Sequence, residues 1–324
     1  MEVRTRDIPT MFSEMMVKMK MEGRKEQSRN GQVLTIPEPV TVAVTNPLHR
    51  TLFDPVRDAN PFFHVMEFVW MMSGSNRPDW IGQFNKRFHE YADNNDNNMG
   101  KPKIHGAYGH RWRKHFPQDQ IQCAIKMLKK DPTSRRVVIS MWDANVDLMA
   151  EHNDLPCNTH IYFRVVNGVL DMTVANRSND IVWGMTGANA VHMTMLHELI
   201  AKAIQHPIGT YRVFTVNAHL YEPHWKMLDT CMVPHLATTE GRWGFHPPVP
   251  LIAEGESYND FMDECGDMVR GGGFKNNWLK NTALPIRNAY LERKQGKDYG
   301  YLIDAIEDKN WQAACQQWID RRDK

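Results

Sequence analysis

The sequence is poor in pairable cysteine, in long apolar runs and in charge concentrated in one sign. Its five cysteines (Cys123, Cys157, Cys231, Cys265, Cys315) are odd in number, widely spaced and form no Cys-x-x-Cys pair. That argues against a disulfide framework and a zinc ribbon, and makes a reducing cytoplasm the default. No apolar run approaches the ~18 residues of a membrane span. The Met-rich start (Met11, Met15, Met16, Met19, Met21) is interrupted by Glu and Lys, lacks a signal-peptide pattern and reads as an amphipathic helix. Net charge is +1 over 324 residues, and basic residues are spread along the chain. A tract that would clamp nucleic acid is missing, so any phosphates are handled one at a time. His197-Glu198-Leu199-Ile200-Ala201 begins like a zinc-binding helix but lacks the second histidine, so no metal site is expected. Gly271-Gly272-Gly273 lacks the Lys-Ser/Thr of a phosphate loop and reads as a hinge. There is no internal repeat.

What is present supports an ordinary globular α/β core: 42% of residues are apolar, enough for one large domain or two small ones. The β-rich runs His160–Val166 and Val169–Val174 flank Asn167-Gly168, the preferred two-residue type I′ turn, and predict a hairpin. Gln32 to Val44 predicts a strand interrupted by Pro37 and Pro39. Asn60-Pro61 opens a nearly all-apolar helix that embeds Glu67, and Gln120 to Lys130 is another, followed by Arg135-Arg136 and a strand from Val137 to Trp142. Ala190 to Gln205 reads as a long helix and Tyr211 to Asn217 as a strand. Pro247, Pro248 and Pro250 mark a linker, after which Ser257 to Arg270, Ile286 to Lys294 and Asn310 to Arg322 read as helices. The expected division is a catalytic domain over 1–245 and a helical extension over 246–324.

The hairpin brings Cys157 and Arg177 to one end. A cationic neighbour lowers a thiol pKa and raises the thiolate fraction, which fits a nucleophile. A buried structural cysteine beside a surface arginine accounts for the pair equally well. Glu67 is either solvated at the helix surface or buried with a raised pKa, and the second is how general acids and bases are made. Arg135 and Arg136 are either a solvated strand edge or a bidentate phosphate fork.

Six segments resemble, in order, the thymidylate synthase and pyrimidine hydroxymethylase superfamily. They are Glu67 with Trp70; Tyr108-Gly109 with Arg111-Trp112; Asp131-Pro132-Thr133-Ser134-Arg135-Arg136; Pro156-Cys157; Asn176-Arg177-Ser178-Asn179-Asp180; and His219-Leu220-Tyr221 with His224. The resemblance implies a thymidylate synthase-like mixed β-sheet packed by helices, dimerising through the sheet face. It also implies that Cys157 adds to carbon 6 of a pyrimidine nucleoside monophosphate, which activates carbon 5 toward methylenetetrahydrofolate as co-substrate. By the same resemblance Glu67 moves protons and organises water, and Tyr108 lies near the nucleophile. Arg29, Arg177 and Ser178 grip the 5′-phosphate, and Arg135 and Arg136 reach across a homodimer to the partner's nucleotide. Asp180 faces pyrimidine and folate, His219 and Tyr221 hold the sugar hydroxyl, and Phe88, Trp183 and Gly184 adjoin the folate.

The chain also departs from the synthase pattern. It ends in the charged stretch Trp318 to Lys324 instead of an apolar tail that closes over the folate. Phe88 stands where synthases carry a folate-packing tryptophan, Gly187 where they carry a stacking aromatic, and Asn158 where they carry a histidine after the nucleophile. A wetter site lets water capture the one-carbon unit, so a hydroxymethyl product is expected. The base-reading position is Ala188 without a gap and Asn189 with a one-residue insertion. No carboxylate lies between Gly184 and Ala190, which favours uracil over cytosine. The expected activity is therefore 5-hydroxymethylation of dUMP. Its rivals are a dCMP hydroxymethylase, a true thymidylate synthase and a silent nucleotide- or RNA-binding relative. The setting would be nucleotide production for modified phage DNA in a host cytoplasm, with no nucleic acid or membrane partner.

Overall fold

The computed structural model describes residues 2–93, 101–230 and 246–323. Cys231 and the expected domain boundary at 245 lie at the edge of, or outside, these residues. Among the described residues ten strands form two sheets: β1 (Glu2–Thr5), β2 (Arg24–Ser28), β3 (Gly31–Ile36), β4 (Val40–Val44), β5 (Val138–Ser140), β6 (Asn158–Val166), β7 (Val169–Asn176), β8 (Asn179–Asp180), β9 (Ile208–Thr215) and β10 (Ala218–Tyr221). The six-stranded sheet runs β1-β4-β9-β7-β6-β5 and the four-stranded sheet β2-β3-β10-β8. Both are mixed: β1–β4, β7–β9 and β8–β10 are parallel and the remaining pairs antiparallel.

The expected hairpin is β6–β7, and Asn167 and Gly168 turn it with φ of 50° and 78°. Side chains alternate across the large sheet. Ile139, Ile161, Phe163, Leu170, Met172, Val174 and Val213 are buried on one face, while Val138, Tyr162 and Phe214 stay exposed. The buried face is covered by helices, among them α1 (Ile8–Glu22) and α4 (Ala188–Ala203).

The helix α2 (Pro61–Met72) starts as its sequence predicts, with Asn60 Oδ1 accepting from Phe63 N at 3.1 Å and Pro61 in the first turn. It is apolar on nearly every face because it is enclosed on nearly every face, Glu67 being its half-buried exception. α4 packs on one side, and α5 (Tyr258–Arg270), α6 (Leu284–Lys294) and α7 (Lys309–Asp320) pack on others. The rings of Trp318 and Tyr290 lie 5.4 Å from Phe62, and Phe261 lies 6.4 Å from Phe68. Burying each such side chain contributes about 1.5–3 kcal/mol, so the C-terminal helices are part of what holds α2 in place.

Several sequence expectations change in detail. The proline-rich linker is tethered: Val249 N donates to Asp308 Oδ2 and Leu251 N to Glu198 Oε1, both at 3.0 Å. Gly271 is a helix terminator with φ of 84° and not a hinge; its N–H and that of Gly272 return to Asp267 O. Strand β5 opens at Val138, two residues beyond Arg136, and α7 ends at Asp320. Glu198 pairs with buried Arg50, and His197 Nε2 lies 2.6 Å from Leu170 O, so both are structural.

Candidate active site

At the open end of the hairpin Arg177 N donates to Cys157 O at 3.0 Å. The Arg177 guanidinium then donates to Pro156 O (2.9 Å) and Leu155 O (3.1 Å) and lies 3.8 Å from Cys157 Sγ. The pairing expected from sequence is present, but the expected direction of the thiol pKa is reversed. Burial pushes the Cys157 thiol up, and the nearby Arg177 only opposes that rise. Asp154, three residues earlier, adds to the rise, and its own carboxyl is pushed up to about 6 by burial.

Tyr108 opens a short helix, Tyr108–His110, that abuts α2. Gly109 makes this possible, because a Cβ there would collide with the Met71 carbonyl. The Tyr108 hydroxyl accepts from Asn158 N at 3.4 Å, one residue from Cys157, and is held well above the ordinary phenol range by burial and by Cys157. Asn158 is 1% exposed and its Nδ2 has no hydrogen-bond partner among the described residues, a buried donor one residue along the chain from Cys157.

Glu67 sits on α2 with its side chain 16% exposed. Its Oε2 is buried without a hydrogen bond and lies 3.6 Å from His192 Nδ1 on α4. Burial and then the charge of Asp154 raise its carboxyl to about 8, so the buried alternative from sequence holds.

The small sheet assembles the second group. Pairing of β8 with β10 sets His219 opposite Asp180, and His219 Nδ1 lies 2.9 Å from Asn217 Oδ1 and 3.5 Å from Ser178 Oγ. The Tyr221 ring is 5.0 Å from that of His219, and Tyr221 Oη accepts from Asn30 Nδ2 at 3.5 Å, beside the exposed Arg29. Arg29 also lowers the Cys157 pKa, so its charge reaches the site.

Asp180 Oδ1 accepts from Val182 N (2.8 Å) and Trp183 N (3.2 Å), capping a wide π-turn over Ile181–Met185 that closes with Thr186 N donating to Ile181 O. A π-turn holds one residue more than an α-turn. Beyond it Ala188 is buried and Asn189 half-buried, and Asn189 Nδ2 comes within 3.1 Å of where a Gly184 Cβ would stand. Trp183, 39% exposed, stacks near Phe63 (6.2 Å), which meets Phe88 at 5.6 Å, and Phe88 meets Trp70 at 5.6 Å. Of these four rings Trp183 alone is exposed, and its backbone N–H is held by Asp180.

Arg135 and Arg136 are not brought to this site. Both are exposed ahead of β5, and neither forms a salt bridge among the described residues. Asp154, His192 and buried Arg57, which Asp180 faces, escaped the sequence reading. Asp154 stands inside the Cys157 segment and was open to notice. A lone histidine in an apolar helix gives no such signal.

Comparison with known proteins agrees with this geometry. Residues 11–236 match the family model described as thymidylate synthase. The chain is 37% identical to the deoxyuridylate hydroxymethyltransferase of Pseudomonas phage M6, over 99% of this chain and 94% of that protein. It is 32% identical to the protein of the same name from Delftia phage PhiW-14, over 63% of this chain and 57% of that one. With the Bacillus phage SP01 namesake it shares 30% identity over 56% of this chain and 49% of that protein, so it spans about half of that relative's length.

Proposed function

The chain belongs to the thymidylate synthase family, and from that membership we propose that it transfers a one-carbon unit from methylenetetrahydrofolate to carbon 5 of dUMP and releases 5-hydroxymethyl-dUMP. The observation that carries the choice of product is likeness along nearly the whole chain to a phage protein named for deoxyuridylate hydroxymethyl transfer. A departure from the synthase pattern agrees: Asn158 follows the nucleophile.

Cys157 Sγ forms the bond to ring carbon 6, and Arg177, 3.8 Å away, favours the thiolate as the nucleotide enters. Arg29, Arg177 and Ser178 hold the 5′-phosphate, and His219 and Tyr221 the sugar hydroxyl. The half-buried Asn189 amide, which follows the π-turn, reads the uracil edge by donating and accepting. Tyr108 and Asn158 line the nucleophile, and Glu67 supplies and removes protons at the ring. The folate brings a one-carbon unit at the oxidation level of formaldehyde. Its fit rests on the exposed Trp183 surface with Phe88 behind it, on Gly184 and on Asp180. Glu67 removes the carbon-5 proton as tetrahydrofolate departs, which leaves a methylene on carbon 5; water adds to that methylene as Sγ leaves carbon 6, giving the hydroxymethyl group.

The active unit is a homodimer joined through the exposed face of the large sheet, which carries Val138, Tyr162 and Phe214. Arg135 and Arg136, exposed ahead of β5 and in no salt bridge among the described residues, reach the partner's nucleotide. Running the reaction in oxygen-18 water tests the product: the nucleotide should gain a labelled hydroxymethyl group. An unlabelled methyl group would identify a synthase, and reaction of dCMP instead of dUMP would overturn the choice of base.

A further inference from the structure

Behind Glu67 lies a buried histidine whose hydrogen bonding fixes which way it can act. His192 is 1% exposed, and its Nε2 lies 3.0 Å from His64 O. A carbonyl oxygen only accepts, so Nε2 holds the ring hydrogen, and in a neutral imidazole Nδ1 then carries a lone pair. That lone pair faces Glu67 Oε2 at 3.6 Å, just beyond hydrogen-bond distance, and Oε2 is buried without a hydrogen bond. An ionised carboxylate would set two acceptors against each other in a dry site. A protonated Oε2 can donate to Nδ1 once that gap closes slightly.

We propose that His192 is a positioning residue that holds the Glu67 proton on Oε2 and leaves Oε1 for proton transfer on the ring side. The inference rests on the reading of Glu67 as the acid–base group of the proposed reaction. The other titratable groups that sense Glu67 or its neighbours favour the same form. His64, on the same helix, is kept neutral by burial; Asp154, from the loop before Cys157, repels a second negative charge; and Tyr91, from the helix Phe88–Tyr91, is a neutral phenol. Burial likewise pushes His192 down to about 3, so it does not become a cation that would stabilise ionised Glu67. A lone pair aimed at Oε2 thus adds a directional element to a preference that burial sets in general.

Nitrogen-15 spectra of the histidine-labelled full chain read the tautomer directly. The expected result is a hydrogen on Nε2 of His192 and an Nδ1 signal that follows the titration of Glu67. A hydrogen on Nδ1, or an Nδ1 signal indifferent to that titration, overturns the proposal without any variant. His192→Gln then gives an independent check, because its amide can keep the bond to His64 O while the acceptor at the Nδ1 position is gone. Carbon-13 spectra of labelled glutamate should show the Glu67 midpoint falling by on the order of one pH unit. The matching limb of the pH profile for carbon-5 hydrogen release should shift with it, and dUMP KM should change little. An unmoved midpoint in a folded variant contradicts the proposal. These midpoints need no turnover, so absence of carbon-5 chemistry on dUMP would defeat the proposed function and leave this inference standing. Normal turnover with an unmoved midpoint would defeat the inference alone.

Discussion

Replacing Glu67 with Gln should make the protein inactive and, at neutral pH, more stable. The Glu67 carboxyl is raised from 4.5 to about 8 by burial and by the nearby Asp154. Between those two values the folded state keeps a proton that the unfolded chain has released. Stability therefore falls as pH rises through that window and levels off above it. Each unit corresponds to about 1.4 kcal/mol, so the wild type should lose about 2–3 kcal/mol relative to Glu67→Gln between about pH 5.5 and 7.5. The amide is nearly isosteric and can donate to His192 Nδ1, so it adds no comparable penalty of its own. Urea unfolding of both proteins at the two pH values isolates the effect, since any constant difference between Glu and Gln cancels. Stability curves that run parallel at both values would refute the reasoning and mean that Glu67 is already ionised in the folded protein.

The shared-site arrangement predicts complementation: Cys157→Ala and the pair Arg135→Ala with Arg136→Ala should each be nearly inactive, while subunit exchange between them restores roughly a quarter of the sites. No recovery in mixed dimers would place the arginines within their own subunit's site. Gly109→Ala should cost more than about 3 kcal/mol or prevent folding, because the new methyl meets the Met71 carbonyl at the join between α2 and Tyr108; a thermal melt near that of the wild type would contradict it. Asp180→Ala removes the acceptor for Val182 N and Trp183 N and should cost about 1 kcal/mol. It should also raise the KM for methylenetetrahydrofolate, and an unchanged KM would separate Asp180 from the folate.

The parts of this fold that were legible in the sequence were those encoded locally. Asn60-Pro61 with an apolar run gave α2, and Asn167-Gly168 between β-rich runs gave the β6–β7 hairpin. Strand β2 escaped because Arg24 to Gln27 are all exposed and polar at a sheet edge, leaving no alternation to read. Cys157 and Arg177 were found as a pair, yet the sign of the thiol shift was not, because burial is a property of the assembled site. His192 was invisible for a related reason: its tautomer is set by a carbonyl 128 residues away. The expected linker at Pro247 to Pro250 became a tethered segment through Asp308 and Glu198, partners that no local pattern announces.

The central claim is that Cys157 activates carbon 5 of dUMP for hydroxymethylation, and tritium release from carbon-5-labelled dUMP in the presence of methylenetetrahydrofolate tests it most directly. The account predicts release with formation of 5-hydroxymethyl-dUMP by mass, and loss of both in Cys157→Ala. Release that persists without the thiol, or an unchanged nucleotide with the wild-type protein, would contradict it.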